Sequence, residues 1–180
     1  MNKAYLLFVL LCLSAINPCF SQNIQDTFLG CKYNSNKIKV LESLESENTY
    51  ILDRTSIVSK TKTIKTLDIT FGGYDFGFSN WDFYLDKLYS IRFTQNHKRK
   101  EEADAMYSSI KKTLIDKYGL AKEKNDNGSL SIYWNDDKNS VLLKMERSES
   151  KGGDIYYYVD LSYYNDQLLK RAAENDKNEL

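Results

Sequence analysis

Histidine, cysteine and proline are scarce here: one His, three Cys and one Pro in 180 residues. Each scarcity excludes something. A Ser-His-Asp or Cys-His site needs an imidazole held by a third group. The only candidate, His97, stands between Asn96 and Lys98 in a polar connection, where it reads as a solvated loop residue. So few His and Cys side chains do not assemble a thiolate or imidazole zinc site. No phosphate loop, dinucleotide glycine pattern or nucleophile elbow occurs. The expectation is therefore a non-enzymatic chain with no cofactor. An excess of one charge is lacking too, with 25 basic against 25 acidic residues. Such a balance gives no bulk field to draw nucleic acid or anionic lipid, so no nucleic-acid partner is expected. The one basic cluster, His97-Lys98-Arg99-Lys100, runs straight into Glu101-Glu102, the pattern of a solvated turn.

Long apolar runs are also missing, with one exception. Leu6 to Ile16 is uncharged, follows Lys3 and precedes Pro18 and Cys19-Phe20-Ser21. That order is the layout of a secretory signal peptide, and the run falls short of the roughly 20 residues that span a bilayer. Residues 1–21 are expected to be removed after Ser21. Residues 22–180 then form a single domain without a transmembrane span, in the periplasm or outside the cell. Removal takes Pro18, Cys12 and Cys19 with it. Cys31 is left alone, so no internal disulfide forms, and its expected role is that of a small buried hydrophobe. Two alternative addresses are open. Lipid attachment at Cys19 is one, with Pro18 where a small residue usually precedes such a cysteine. The other is the endoplasmic-reticulum lumen, through the tail Lys177-Asn178-Glu179-Leu180.

What the chain does have is alternation. A short helix with Ile38, Leu41 and Leu44 on one side follows the capping candidates Asn34, Ser35 and Asn36. Strand signals come next. Thr49 to Leu52 is the first; then Leu67, Ile69 and Phe71 alternate with Thr66, Asp68 and Thr70. Trp81, Phe83 and Leu85 alternate with Asn80, Asp82 and Tyr84, and Asp86-Lys87 suits the turn before Tyr89, Ile91 and Phe93. A stronger helix spans 98–118, with Ala103, Met106 or Tyr107, Ile110, Leu114 and Tyr118 on one stripe and Gly119 just beyond it. Asn127-Gly128 is a hairpin signal. Leu130, Ile132 and Trp134 follow it, then Val141, Leu143 and Met145, and a last strand from Ile155 to Tyr163. The order is helix, strands, helix, strands, which makes pseudo-repeat halves of about 28–95 and 96–164. A short C-terminal helix and tail, 165–180, closes the chain. The predicted fold is α+β: an antiparallel meander sheet, with both main helices on its apolar face and the other face wet.

The opening Phe28-Leu29-Gly30-Cys31-Lys32-Tyr33, with Asn34-Ser35 and Lys39-Val40-Leu41, resembles the hydrophobic-Gly, Ser, small-helix opening of two kinds of envelope domain. One is the small outer-membrane assembly lipoproteins of the BamE/SmpA kind. The other is the β-lactamase inhibitor proteins, whose tandem helix-plus-sheet units are similar to the doubled order here. The resemblance implies a non-enzymatic binding or assembly role. It carries over no contact residue.

Tyrosine is the compositional excess, with 14 against 8 Phe and 2 Trp. By alternation Tyr156 and Tyr158 face the wet side with Asp160, and Tyr84 and Tyr133 share it. Tyrosine supplies large contact area at low entropy cost, and it also simply favours strands. The candidate binding residues are therefore Tyr84, Tyr133, Tyr156, Tyr158 and Asp160. The partner would be a protein or a glycan of the envelope or outside the cell. An envelope assembly or structural role is the alternative. Asp68, Asp82, Glu146 and Asp160 are the carboxylates a small hydrolase would need on that face. The oxygen-rich Asp126-Asn127-Gly128-Ser129 and Asp136-Asp137 lack the spacing of a calcium loop and read as turns.

Overall fold

The computed structural model describes residues 23–47, 49–51, 63–126 and 129–178. The leader, Leu52 and the Asn127-Gly128 turn lie outside the described residues. Ten strands and three helices are described. β1 is Thr27–Phe28 and β2 Cys31–Lys32; α1 is Lys37–Ser46; β3 is Tyr50–Ile51, β4 Thr63–Phe71, β5 Tyr74–Tyr84 and β6 Lys87–His97; α2 is Lys100–Tyr118; β7 is Lys122–Asp126, β8 Ser129–Asn135, β9 Asn139–Glu149 and β10 Ile155–Asn165; α3 is Asp166–Asn178. β1 and β2 make a small hairpin. The other eight strands form one antiparallel sheet in the order β3-β4-β5-β6-β10-β9-β8-β7. The two expected halves are thus two meanders whose last strands, β6 and β10, pair with each other at the centre. Among the described residues no helix is long and apolar enough to cross a membrane.

The apolar face is the core. Phe71 stacks on Phe93 with centroids 4.3 Å apart, and Phe93 also meets Phe76 at 5.5 Å and Trp81 at 6.3 Å. α2 lies over β6, β10 and β9 and buries Ala103, Tyr107, Ile110, Leu114 and Tyr118. At its end Gly119 takes φ 82° and ψ −161°, a region open to glycine and closed to side chains. Its N–H still reaches the Ile115 carbonyl at 2.8 Å. α1 packs beside β2 and β3. Asn36 Oδ1 caps it by accepting the Lys39 N–H at 2.9 Å, and Asp86 Oδ1 takes the Lys37 N–H at 3.2 Å. The buried stripe is Val40, Leu41 and Leu44; Ile38, expected inside, is exposed because it lies about half a turn from Val40. Cys31 is fully buried, as expected.

The strand alternation breaks twice: the β5–β6 register shifts between Asp82 and Phe83, which puts Leu88 in the core in place of the expected Tyr89, and a second break lies at Asp68. Asp68 takes φ 49°, and Gly77, opposite it, gives its N–H to Gln95 Oε1 at 2.6 Å instead of to the ladder. The backbone flips parity there on both strands while the register holds on either side. Thr66 therefore points into the core with Ile64, and Leu67 points away from it, the reverse of the sequence expectation. Thr66, Ser79 and Trp81 form a buried polar triad: the Thr66 and Ser79 hydroxyls are 2.7 Å apart, and Trp81 Nε1 donates to Ser79 Oγ at 2.8 Å.

One turn differs from its expected place by a residue. Gly72-Gly73 closes β4–β5 with both residues at positive φ, the I′ form that suits strand twist. Leu85-Asp86, not Asp86-Lys87, does the same for β5–β6, and Leu85 is exposed rather than inward-facing. His97 is likewise no loop residue. It ends β6 opposite Tyr157 with its side chain 15% exposed, Nδ1 3.7 Å from Glu102 Oε2 and Nε2 3.4 Å from Met106 Sδ.

The second face is not wholly wet. α3 turns back from β10 and runs against β5, β6, β9 and β10. Asn165 Oδ1 caps it by accepting the Leu168 N–H at 3.1 Å. Leu168 and Ala172 are buried but stand outside the main core cluster. Ser90, Ser140 and Ser162, which the register places on the face opposite the core, are each only 2% exposed. Ser140 also donates to Asp166 Oδ1 at 2.6 Å. The C-terminal helix therefore covers one end of the face that alternation alone leaves to solvent.

Candidate functional site

What α3 leaves open is the end of the sheet around β10 residues 156–160. The register sets four neighbours in a row there: Phe78 on β5, Thr94 on β6, Asp160 on β10 and Lys144 on β9. One step along, Tyr158 on β10 stands opposite Glu146 on β9, and one step further Tyr156 stands opposite Ser148. Arg92 lies on the other side of Thr94 in β6. Thr94 is small and 3% exposed, so it forms a floor between bulkier neighbours. The result is a shallow depression of about 280 Å³ lined by Phe78, Arg92, Thr94, Glu146, Ser148, Tyr158 and Asp160.

Its polar groups are partly committed. Thr94 Oγ1 donates to Asp160 Oδ1 at 2.5 Å, and Lys144 Nζ pairs with Glu146. Burial pushes the Asp160 carboxyl above the usual carboxylate range; the Thr94 hydrogen bond and the Arg92 charge oppose that shift, and Glu146 adds to it. The nearby charges are two cations, Arg92 and Lys144, and two acids, Asp160 and Glu146. Tyr156 and Tyr158 have ring centroids 6.5 Å apart and are half-buried.

All five sequence candidates lie on this face, but only three come together. Tyr156, Tyr158 and Asp160 alternate along one strand. Tyr133 sits on β8 opposite Leu142, two strands over and four residues along from Tyr158, about 16 Å away at sheet spacings. Tyr84, at the far end of β5 opposite Lys87, is about 25 Å from Tyr158 by strand rise and belongs to the end that α3 occupies. Phe78, Arg92, Thr94, Glu146 and Ser148 complete the depression and were not among the binding candidates. The signal that could have found them is their outward parity on β5, β6 and β9, usable only with the strand pairing around β10 known.

Of the four hydrolase carboxylates only Asp160 and Glu146 come together, on the walls of the depression; the other two stand apart. Asp68 lines a separate hollow with Thr70, Asp75, Phe76, Gly77, Gln95 and Asn96. Asp82 accepts from Thr63 Oγ1 at 2.8 Å, and burial raises its carboxyl against the pull of Thr63 and Arg92. It lies two strands over and four residues along from Asp160, again about 16 Å, beyond the roughly 5–9.5 Å of paired glycosidase acids. A larger hollow, about 790 Å³ between residues 23–26 and 135–139, has the Asp136 carboxylate in its wall, already in use. Asp136 Oδ1 accepts the N–H groups of Lys138 and Asn139, at 2.7 and 2.8 Å, and its Oδ2 accepts that of Ile24 at 2.7 Å. Among the described residues no three His, Cys, Asp or Glu side chains gather as metal ligands do.

Fold and site together define an α+β protein with an eight-stranded antiparallel sheet and a polar-aromatic depression on its less covered face. No family model matches the chain, and neither a curated protein nor a solved structure matches it.

Proposed function

We propose that this chain is a non-enzymatic binding module that works outside the cytoplasm and engages a protein or glycan partner through the open end of the sheet. The observation that carries this reading is the convergence of Tyr156, Tyr158 and Asp160 beside Phe78 and Arg92, on the stretch of sheet that α3 leaves bare. Half-buried tyrosines on a rigid strand give contact area with little entropy to lose. A partner captured from an envelope extract should be lost on Tyr156→Ser with Tyr158→Ser and retained on Tyr84→Ser. Equal capture by both would show that this end of the face is not the contact surface. The extracytoplasmic address rests on the Met1–Gln22 pattern. An exported protein beginning at Gln22 supports it, whereas a diacylated Cys19 makes the protein membrane-anchored and favours an assembly role.

A further inference from the structure

We infer that the depression floored by Thr94 and Asp160 seats a single neutral sugar ring. This rests on the open-face reading above and narrows its ligand. Four observations point to a saccharide. The first is size: about 280 Å³ lies just below the roughly 300–1,000 Å³ of pockets that enclose drug-sized ligands, so the hollow suits one ring and not a folded chain. The second is charge. Arg92 and Lys144 balance Asp160 and Glu146 around the same point, so neither a strongly anionic nor a strongly cationic group is favoured there.

The third is the mixture of donors and acceptors. A sugar hydroxyl both donates and accepts, and it is best met by a carboxylate beside a guanidinium. A carboxylate accepts at two oxygens and a guanidinium offers five N–H donors. Asp160 has given one oxygen to Thr94 and retains accepting capacity at the other, while Arg92 reaches from the adjoining strand and Ser148 adds a hydroxyl at the rim. The fourth is the aromatic lining. Phe78 and Tyr158 bound the hollow on two strands, and the apolar C–H face of a pyranose rests on such a ring while its hydroxyls point to the polar groups. A flat protein partner needs about 800 Å² per side and would have to extend over α3, whereas one sugar ring fits the bare end.

The test is a glycan array of neutral and acidic saccharides probed with the full chain. Titration of the best neutral oligosaccharide follows, read by ¹⁵N amide shifts. The expected result is binding to neutral saccharides, with shifts at Thr94, Tyr158 and Asp160. Affinity should fall about tenfold or more in Asp160→Asn and in Tyr158→Ala, as loss of a hydrogen bond to a charged group or of a stacking surface implies, and it should be unchanged in Tyr84→Ala. Tyr158 is partly exposed, so its variant keeps the test open should Asp160→Asn misfold. Binding only to acidic saccharides, no binding at all, or shifts away from the depression overturns the inference. If a protein partner is still captured and lost with the Tyr156/Tyr158 pair, the open-face reading survives and the sugar seat does not.

Discussion

Ser79→Ala is the sharpest test of how the core is registered. Ser79 Oγ meets the Thr66 hydroxyl at 2.7 Å and accepts from Trp81 Nε1 at 2.8 Å, and all three residues are fully buried. Removing the hydroxyl strands two polar groups, each costing about 1–3 kcal/mol when buried without a partner. Some relaxation is expected, so the single substitution should lose about 2–4 kcal/mol. Thr66→Val alone should lose less, about 1 kcal/mol, since Ser79 still serves Trp81. The informative variant is the double one. With Thr66→Val added to Ser79→Ala, only the Trp81 N–H remains unpaired. The double variant should therefore be about 1–2 kcal/mol more stable than Ser79→Ala, a coupling of the size seen between touching residues. Equilibrium unfolding in urea, with m unchanged, measures all four proteins. A double variant less stable than Ser79→Ala would refute the reasoning, because it would mean that Thr66 does not face Ser79 and that the parity flip at Asp68 is absent.

Three further outcomes follow from single residues. Leu85 holds φ 47° in an exposed turn, a conformation costing an L side chain about 1–2 kcal/mol and asparagine less. Leu85→Asn should raise the melting temperature by about 2–4 °C in calorimetry; an unchanged or lower value would count against a left-handed Leu85. Asn36→Ala removes the cap of α1 and should lose about 1 kcal/mol in urea unfolding, and no loss would mean that Asp86 alone holds that helix end. Burial raises the folded Asp160 carboxyl above its unfolded value, so the folded state keeps its proton to higher pH. Its favourable contribution is full below the unfolded value of about 3.9 and declines as pH rises through the folded one. Asparagine carries no such proton, so the stability difference between Asp160→Asn and the parent should shift toward the variant from pH 4 to pH 7. A shift toward the parent would reverse the assigned direction.

Period-two alternation made most of the sheet legible, because one face is apolar along most strands: Ile132 and Trp134, Val141, Leu143 and Met145, and Val159, Leu161 and Tyr163 lie inside as their spacing predicts. The flip at Asp68 was hidden because nothing in the residue type marks a left-handed aspartate inside a strand. With Leu67 and Thr66 adjacent, the apolar one looked like the core residue. Ile38 and Leu85 misled for a related reason: hydrophobicity marks a candidate for burial, while a cap or a turn decides where the helix or strand begins. The tyrosine face was legible as a face, since register alternation places Tyr84, Tyr133, Tyr156 and Tyr158 on one side. Its division was not, because α3 buries only Leu168 and Ala172 among its described side chains, too sparse a stripe to announce which surface it covers.

The two halves meet in the way that makes the site. β6 closes the first meander and β10 the second, and their antiparallel pairing sets Thr94 beside Asp160. Phe78, Arg92 and Thr94 come from the first half, and Glu146, Ser148, Tyr158 and Asp160 from the second. Neither meander contains the depression alone, since each would end in an unpaired strand with half of the lining. Function placed at this seam therefore depends on the doubled architecture and not on either helix-plus-strands unit. The Thr94–Asp160 hydrogen bond, joining the halves across β6 and β10, serves the floor of the site and the joint of the fold at once.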